Sequence, residues 1–199
     1  MDRRKALKNI GLSLGYVVAT PTVISLLQSC KNETKELTTW VPEFFSSDEG
    51  IVLKNLVDLI LPKTDNLPGA IDLNIHIFLD KYFAKVYDES KQKEMNTGIK
   101  AMFSALSVTE KNPTSKLKTA NYDAFLAKYL RATKEEKNNF VENDKIIFDT
   151  LMGLRYLTVW AYKTTEKIGE NVLAYDPIPG EQKGCVSLKE TTGGMAWSL

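Results

Sequence analysis

The stretch Asn143–Tyr162, NDKIIFDTLMGLRYLTVWAY, decides the fold. Ile146, Ile147, Leu151, Leu154, Tyr156, Leu157, Val159, Trp160 and Tyr162 crowd it, and no proline follows until Pro177. Apolar residues at this density predict a long central helix with its aromatic side chains in the core. Strand signals are sparse elsewhere, and no Asn-Gly or Asp-Gly pair marks a hairpin. The chain therefore reads as all-α: a single helical domain of about five to six helices with an irregular C-terminal tail.

On the N-terminal side, Ser46-Ser47-Asp48-Glu49 forms a capping box ahead of Val52, Leu53, Leu56, Val57, Ile60 and Leu61 at helical spacing. Pro62 stops that helix, and PKTDNLPGA (62–70) reads as a turn-rich loop. Ala70–Tyr87 predicts a second, buried helix with Ile71, Ile75, Phe78, Leu79, Tyr82, Phe83 and Val86 on one face. A third covers Glu89–Leu106, with Met95, Ile99, Met102, Phe103 and Leu106 inward, and a short one covers Tyr122–Leu130. Thr133-Lys134-Glu135-Glu136 is a second capping box. The helical domain spans 46–174. Residues 175–199 differ in kind: two prolines and four glycines forbid a long helix there, yet Ile178, Val186, Met195 and Trp197 need cover, against the helices or against another protein.

The chain begins with a basic segment holding Arg3, Arg4, Lys5 and Lys8, followed by an apolar stretch, Ile10–Leu27, diluted by glycine, hydroxyl residues and Pro21. This pattern fits a cleaved signal over residues 1–29 better than a transmembrane anchor. Arg3-Arg4 resembles a twin-arginine signal, which exports folded proteins. Asp2 and Ala6 depart from that motif and leave ordinary unfolded secretion open. Leu27-Gln28-Ser29-Cys30 resembles a bacterial lipobox, so Cys30 is the expected lipidation site. Acyl chains contribute about 0.8 kcal/mol per buried methylene, and two or more hold a protein stably on a membrane. Residues 30–45 read as a flexible tether. The expected location is the bacterial cell envelope, lipid-anchored and facing the periplasm.

At 199 residues with 43% hydrophobic and 26% charged, the composition suits one globular domain. Loss of residues 1–29 removes four basic residues and Asp2, turning the formal +1 into a net −2. A near-neutral chain without a basic cluster gives no footprint for nucleic acid.

Catalytic chemistry is hard to find. His76 is the only histidine, which excludes a multi-histidine metal site, and it reads as a surface or core-edge residue. With Cys30 lipidated, Cys185 is the sole remaining thiol, so no internal disulfide is available; it is a free thiol or bonds a partner. GxGxxG, GxxxxGK[ST], HExxH and CxxCH are all absent. Asp58, Asp65, Asp72 and Asp80 are plausible acids, but no pairing among them is evident. No catalytic, cofactor-binding or metal residue is assigned.

Several pieces together resemble the gluconate 2-dehydrogenase subunit 3 family: the twin-arginine-like start, LVDLILPKTDNLPGAIDLNIHIFLD (56–80), and YDPIPGEQKGCVSL (175–188) with Trp197-Ser198 near the end. The resemblance spans nearly the whole chain. It implies a non-catalytic small subunit of a sugar or polyol dehydrogenase. The large subunit of such a complex is a flavoprotein of the glucose-methanol-choline type that carries FAD, and a multihaem cytochrome c subunit often takes the electrons. A flavoprotein loaded with FAD in the cytoplasm must cross folded, and a small subunit bearing Arg3-Arg4 would carry it. The tail then becomes the docking element, with Tyr175, Pro177, Ile178, Pro179 and Trp197 as contacts and Cys185 as an intersubunit bond. The alternative reading is a stand-alone helical lipoprotein acting as a scaffold or binding module.

Overall fold

The computed structural model describes residues 40–176, 178, 180 and 184–198. The export arginines Arg3 and Arg4, the lipidation residue Cys30, most of the tether, and Pro177 and Pro179 lie outside these residues. Among the described residues there are eight α-helices and no strand.

Helix α1 (Ser47–Ile60) starts at the capping box read from the sequence: the Glu49 N–H donates to Ser46 Oγ at 3.3 Å, and the Ser46 N–H donates to Glu49 Oε2 at 2.8 Å. Val52, Leu53, Leu56 and Val57 form its buried stripe. The following loop closes on itself through the Ala70 N–H, which donates to Leu61 O at 2.8 Å. Gly69 permits this closure, since a Cβ there would lie 2.6 Å from the Lys63 backbone nitrogen.

Helix α2 (Ile75–Lys85) begins five residues later than expected. Asn74 sits in the left-handed region at φ 55°, which breaks the helical ladder, so residues 70–74 form turns instead. Asp88 caps α3 (Glu89–Ala105), and the Gln92 side-chain amide reaches back to donate to the carbonyls of Phe83 and Tyr87 near the C-terminal end of α2. A 3₁₀ turn at Thr114–Lys116 precedes α4 (Thr119–Leu130). The second capping box, Thr133 with Glu136, opens the short α5 (Lys134–Asn138). Two further short helices, α7 (Glu166–Gly169) and α8 (Leu188–Thr192), add to the expected five to six. Neither is long enough to show a helical apolar period.

Helix α6 (Glu142–Lys163) is the central helix. Its 22 residues rise about 33 Å. One side, carrying Ile147, Leu151, Leu154, Thr158 and Ala161, is buried, and α1, α2, α3 and α4 all pack on this helix. The approach to α3 is tight at Gly98, where a Cβ would stand 2.0 Å from Thr150 Oγ1 and 2.8 Å from Thr150 Cβ. Only hydrogen fits.

Gly98→Ala is therefore expected to lower unfolding free energy by roughly 1–3 kcal/mol, the cost of overpacking. Combining it with Thr150→Ala should recover part of that loss, read from urea unfolding as a double-mutant cycle.

Candidate partner interface

The tail is held at both ends and exposed between them. The Ala174 N–H donates to Ala196 O at 2.9 Å and the Ser198 N–H to Ala174 O at 3.0 Å, making a parallel bridge between Ala174 and Trp197. After α8, Gly193 and Gly194 take positive φ values of 64° and 87° and turn the chain back toward this bridge. Thr192 and Ser198 are buried. The bridge thus brings the backbones at Tyr175 and Trp197 together. Ile178 and Cys185 lie on the arm between, and the Cys185 thiol is free and exposed.

Six large apolar side chains of this segment face solvent: Tyr175, Ile178, Val186, Leu188, Met195 and Trp197, with Ile178 84% exposed. Of the two kinds of cover the composition demanded, the helices supply little. Beside Tyr175 lies a cleft of about 350 Å³ lined also by Lys163, Thr165, Glu166, Glu170 and Ser198.

A second exposed apolar surface escaped the sequence reading. Tyr156 is 70% exposed, and Met152, Val159 and Trp160 are also exposed, all on the side of α6 away from its buried stripe. The expectation that the aromatic residues of this helix are core is corrected for Tyr156 and Trp160. On α2, Phe78 is likewise exposed, and it joins the same surface: its ring lies 6.0 Å from Trp160, and Tyr82 lies 5.7 Å from Trp160. The signal was present in the spacing. Positions 152, 156, 159 and 160 form one helical stripe and 147, 151, 154, 158 and 161 another, so no single side could bury both. Tyr162 serves differently, donating its hydroxyl to Pro68 O at 2.7 Å and tying α6 to the 62–70 loop.

The acids considered as catalytic candidates have structural roles or face water. Asp58 and Asp65 are exposed. The Asp72 carboxylate accepts from the Gly69 N–H at 2.9 Å and lies 3.5 Å from Lys63, and the Gly69 hydrogen bond is the main cause holding its carboxyl below the ordinary carboxylate range. Asp80 is buried and accepts three backbone N–H groups, from Glu43 at 2.7 Å, Phe44 at 3.0 Å and Phe45 at 3.2 Å. Its oxygens are committed to holding residues 43–45 against α2. His76, one turn before Asp80, is buried in the core rather than at its edge. Burial, with the Lys54 charge acting the same way, pushes it down to about 4 against an opposing pull from Asp80, so the ring is neutral at neutral pH.

No group of three His, Cys, Asp or Glu side chains among the described residues is arranged to hold a metal ion. A cleft of about 590 Å³ between α3 and α6 is lined by Tyr87, Ile146 and Gly153 together with Lys91, Glu94 and Asp149. Its charged side chains are exposed and of both signs, which gives a small ligand no fixed charge to bind. Among the described residues, exposed apolar surface is the prominent feature.

A family model described as Gluconate 2-dehydrogenase subunit 3 matches residues 47–180. The match opens on the first residue of α1, takes in every helix through α7, and ends on the exposed arm at Gly180. No curated protein and no solved structure matches the chain.

The unfolded chain protonates His76 near 6.5 and the folded chain only near 4, so between these values the unfolded state binds more protons. Stability should fall as pH is lowered from 6.5 toward 4, by on the order of 2 kcal/mol at His76. Urea unfolding at neutral and acid pH checks this, and His76→Gln should show the smaller acid loss.

Proposed function

Because the chain belongs to the gluconate 2-dehydrogenase subunit 3 family, we propose that it is the non-catalytic small subunit of a gluconate 2-dehydrogenase-like complex. In this reading it assists export, stability and membrane attachment of an FAD-containing catalytic subunit of the glucose-methanol-choline type, and a cytochrome c subunit can complete the assembly. Arg3 and Arg4 direct export, and acylation at Cys30 anchors the chain on a membrane of the cell envelope. FAD belongs to the partner, and haem to the third subunit.

The observation that carries this reading is the tail. Six exposed large apolar side chains within 25 residues of the C-terminus are costly in water unless another surface covers them. The bridge at Ala174 and Trp197 holds the ends of the arm in place, which lowers the ordering cost of docking. Tyr175 and Trp197 are the residue types that dominate binding energy at protein interfaces, and Ile178 offers an apolar anchor at the tip. Cys185 is accessible for a bond to a partner thiol.

The double variant Ile178→Asp, Trp197→Ala tests the docking role without removing the backbone bridge. Affinity purification from detergent-solubilised membranes should recover the flavoprotein, with its flavin absorbance, alongside the unaltered chain. Recovery should drop about tenfold or more with the variant while its circular dichroism melt stays close to that of the parent. A solitary, colourless chain from unaltered membranes would instead favour a stand-alone scaffold or binding lipoprotein.

A further inference from the structure

The aromatic face shared by α2 and α6 is bordered by more cations than acids: Asp149 lies on it two turns before Tyr156, against Lys81, Lys85, Arg155 and Lys163. Along α6 and the turn after it, no acid occurs between Asp149 and Glu166, and the charged residues in that stretch are Arg155 and Lys163. Arg155 adjoins Tyr156, and Lys163 follows Trp160 by one turn. On α2 the only acid between Asp72 and Asp88 is Asp80, which is buried and saturated by three N–H groups. Its exposed ions are Lys81 and Lys85, which follow the Phe78–Tyr82 pair around the same side of the helix. Glu43 pairs with Lys85, and Asp72 pairs with Lys63. Among the described residues no ion pair engages Lys81, Arg155 or Lys163.

We infer that this face lies against an anionic lipid surface, with Trp160, Tyr156, Tyr82 and Phe78 at headgroup depth and Lys81, Arg155 and Lys163 on lipid phosphates. Trp and Tyr rings concentrate at that depth because one end is apolar and the other polar. Lysine and arginine stems run along apolar surface while their heads stay with the headgroups. An acidic protein patch would satisfy the charge, but protein interface cores are depleted of charged residues. Long, unpaired cations set among the rings match a headgroup layer, where they remain hydrated. The inference deepens, and rests on, the membrane attachment proposed above: the acyl anchor fixes the chain to the bilayer, and this face sets which side of the domain meets it.

The test uses the full chain isolated from membranes with Trp40→Phe and Trp197→Phe, which leaves Trp160 as the only one of the three tryptophans. It is reconstituted in vesicles of phosphatidylglycerol or of phosphatidylcholine, each with brominated acyl chains. In phosphatidylglycerol, Trp160 emission should shift to the blue and fall about twofold, whereas phosphatidylcholine should leave it nearly unchanged. Lys81→Glu with Arg155→Glu should abolish the quenching. Unquenched Trp160 on a chain that still floats with both vesicle types would overturn the inference and leave membrane attachment standing. A chain that floats with neither would overturn both. Shielding of Trp160 from a water-soluble quencher that appears only with the flavoprotein bound, and without lipid, would assign the face to a protein and overturn the inference alone.

Discussion

The fold depends on one crowded side of one helix. Four helices share the central α6, and α3 fits against it because it presents no side chain at Gly98, where Thr150 already fills the space a methyl would need. Interiors pack at crystal-like density, so a contact this close leaves no slack to redistribute. The neighbouring devices depend on the same arrangement. The Tyr162 hydroxyl fastens the far end of α6 to the 62–70 loop, and the loop in turn is drawn tight by the absent side chain at Gly69.

Much of this was legible in the residues. Ser46 with Glu49 and Thr133 with Glu136 marked two helix starts because capping is local chemistry between residues three apart. The all-α class followed from apolar spacing along Asn143–Tyr162. Other features depended on distant contacts or on backbone choices that spacing does not report. Asn74 reads as an ordinary helix residue until its left-handed conformation delays α2 to Ile75. Asp80 looked like a free acid because its three hydrogen-bond donors come from more than thirty residues earlier in the chain.

The exposed apolar surface was half legible. The tail announced itself by prolines, glycines and apolar residues with no period to bury them. The α2–α6 face did not, because a helix apolar on two sides looks the same in sequence as one buried all round. What separates the two is how many neighbours the fold supplies, and α6 has neighbours on one side only for Met152, Tyr156 and Trp160 to be left facing outward. The chain therefore divides its apolar residues between a buried core and an exposed surface. Its chemistry-bearing side chains go mainly to holding the fold together, as Asp72, Asp80 and His76 show.

Asp80 also determines how the domain bears mechanical load. Any pull on the chain from its N-terminal side reaches Glu43, Phe44 and Phe45 before it reaches α1, and their three N–H groups end on a buried carboxylate rooted in α2. Charge-assisted hydrogen bonds of this kind are about twice as strong as neutral ones, and the burial of Phe45 and its edge contacts with Phe44 and Phe83 reinforce them. Tension is thus delivered to the helix bearing Phe78 and Tyr82 rather than to the capping box of α1, whose single reciprocal pair would fray first. A domain built this way can be pulled from its N-terminal side without its first helix unwinding.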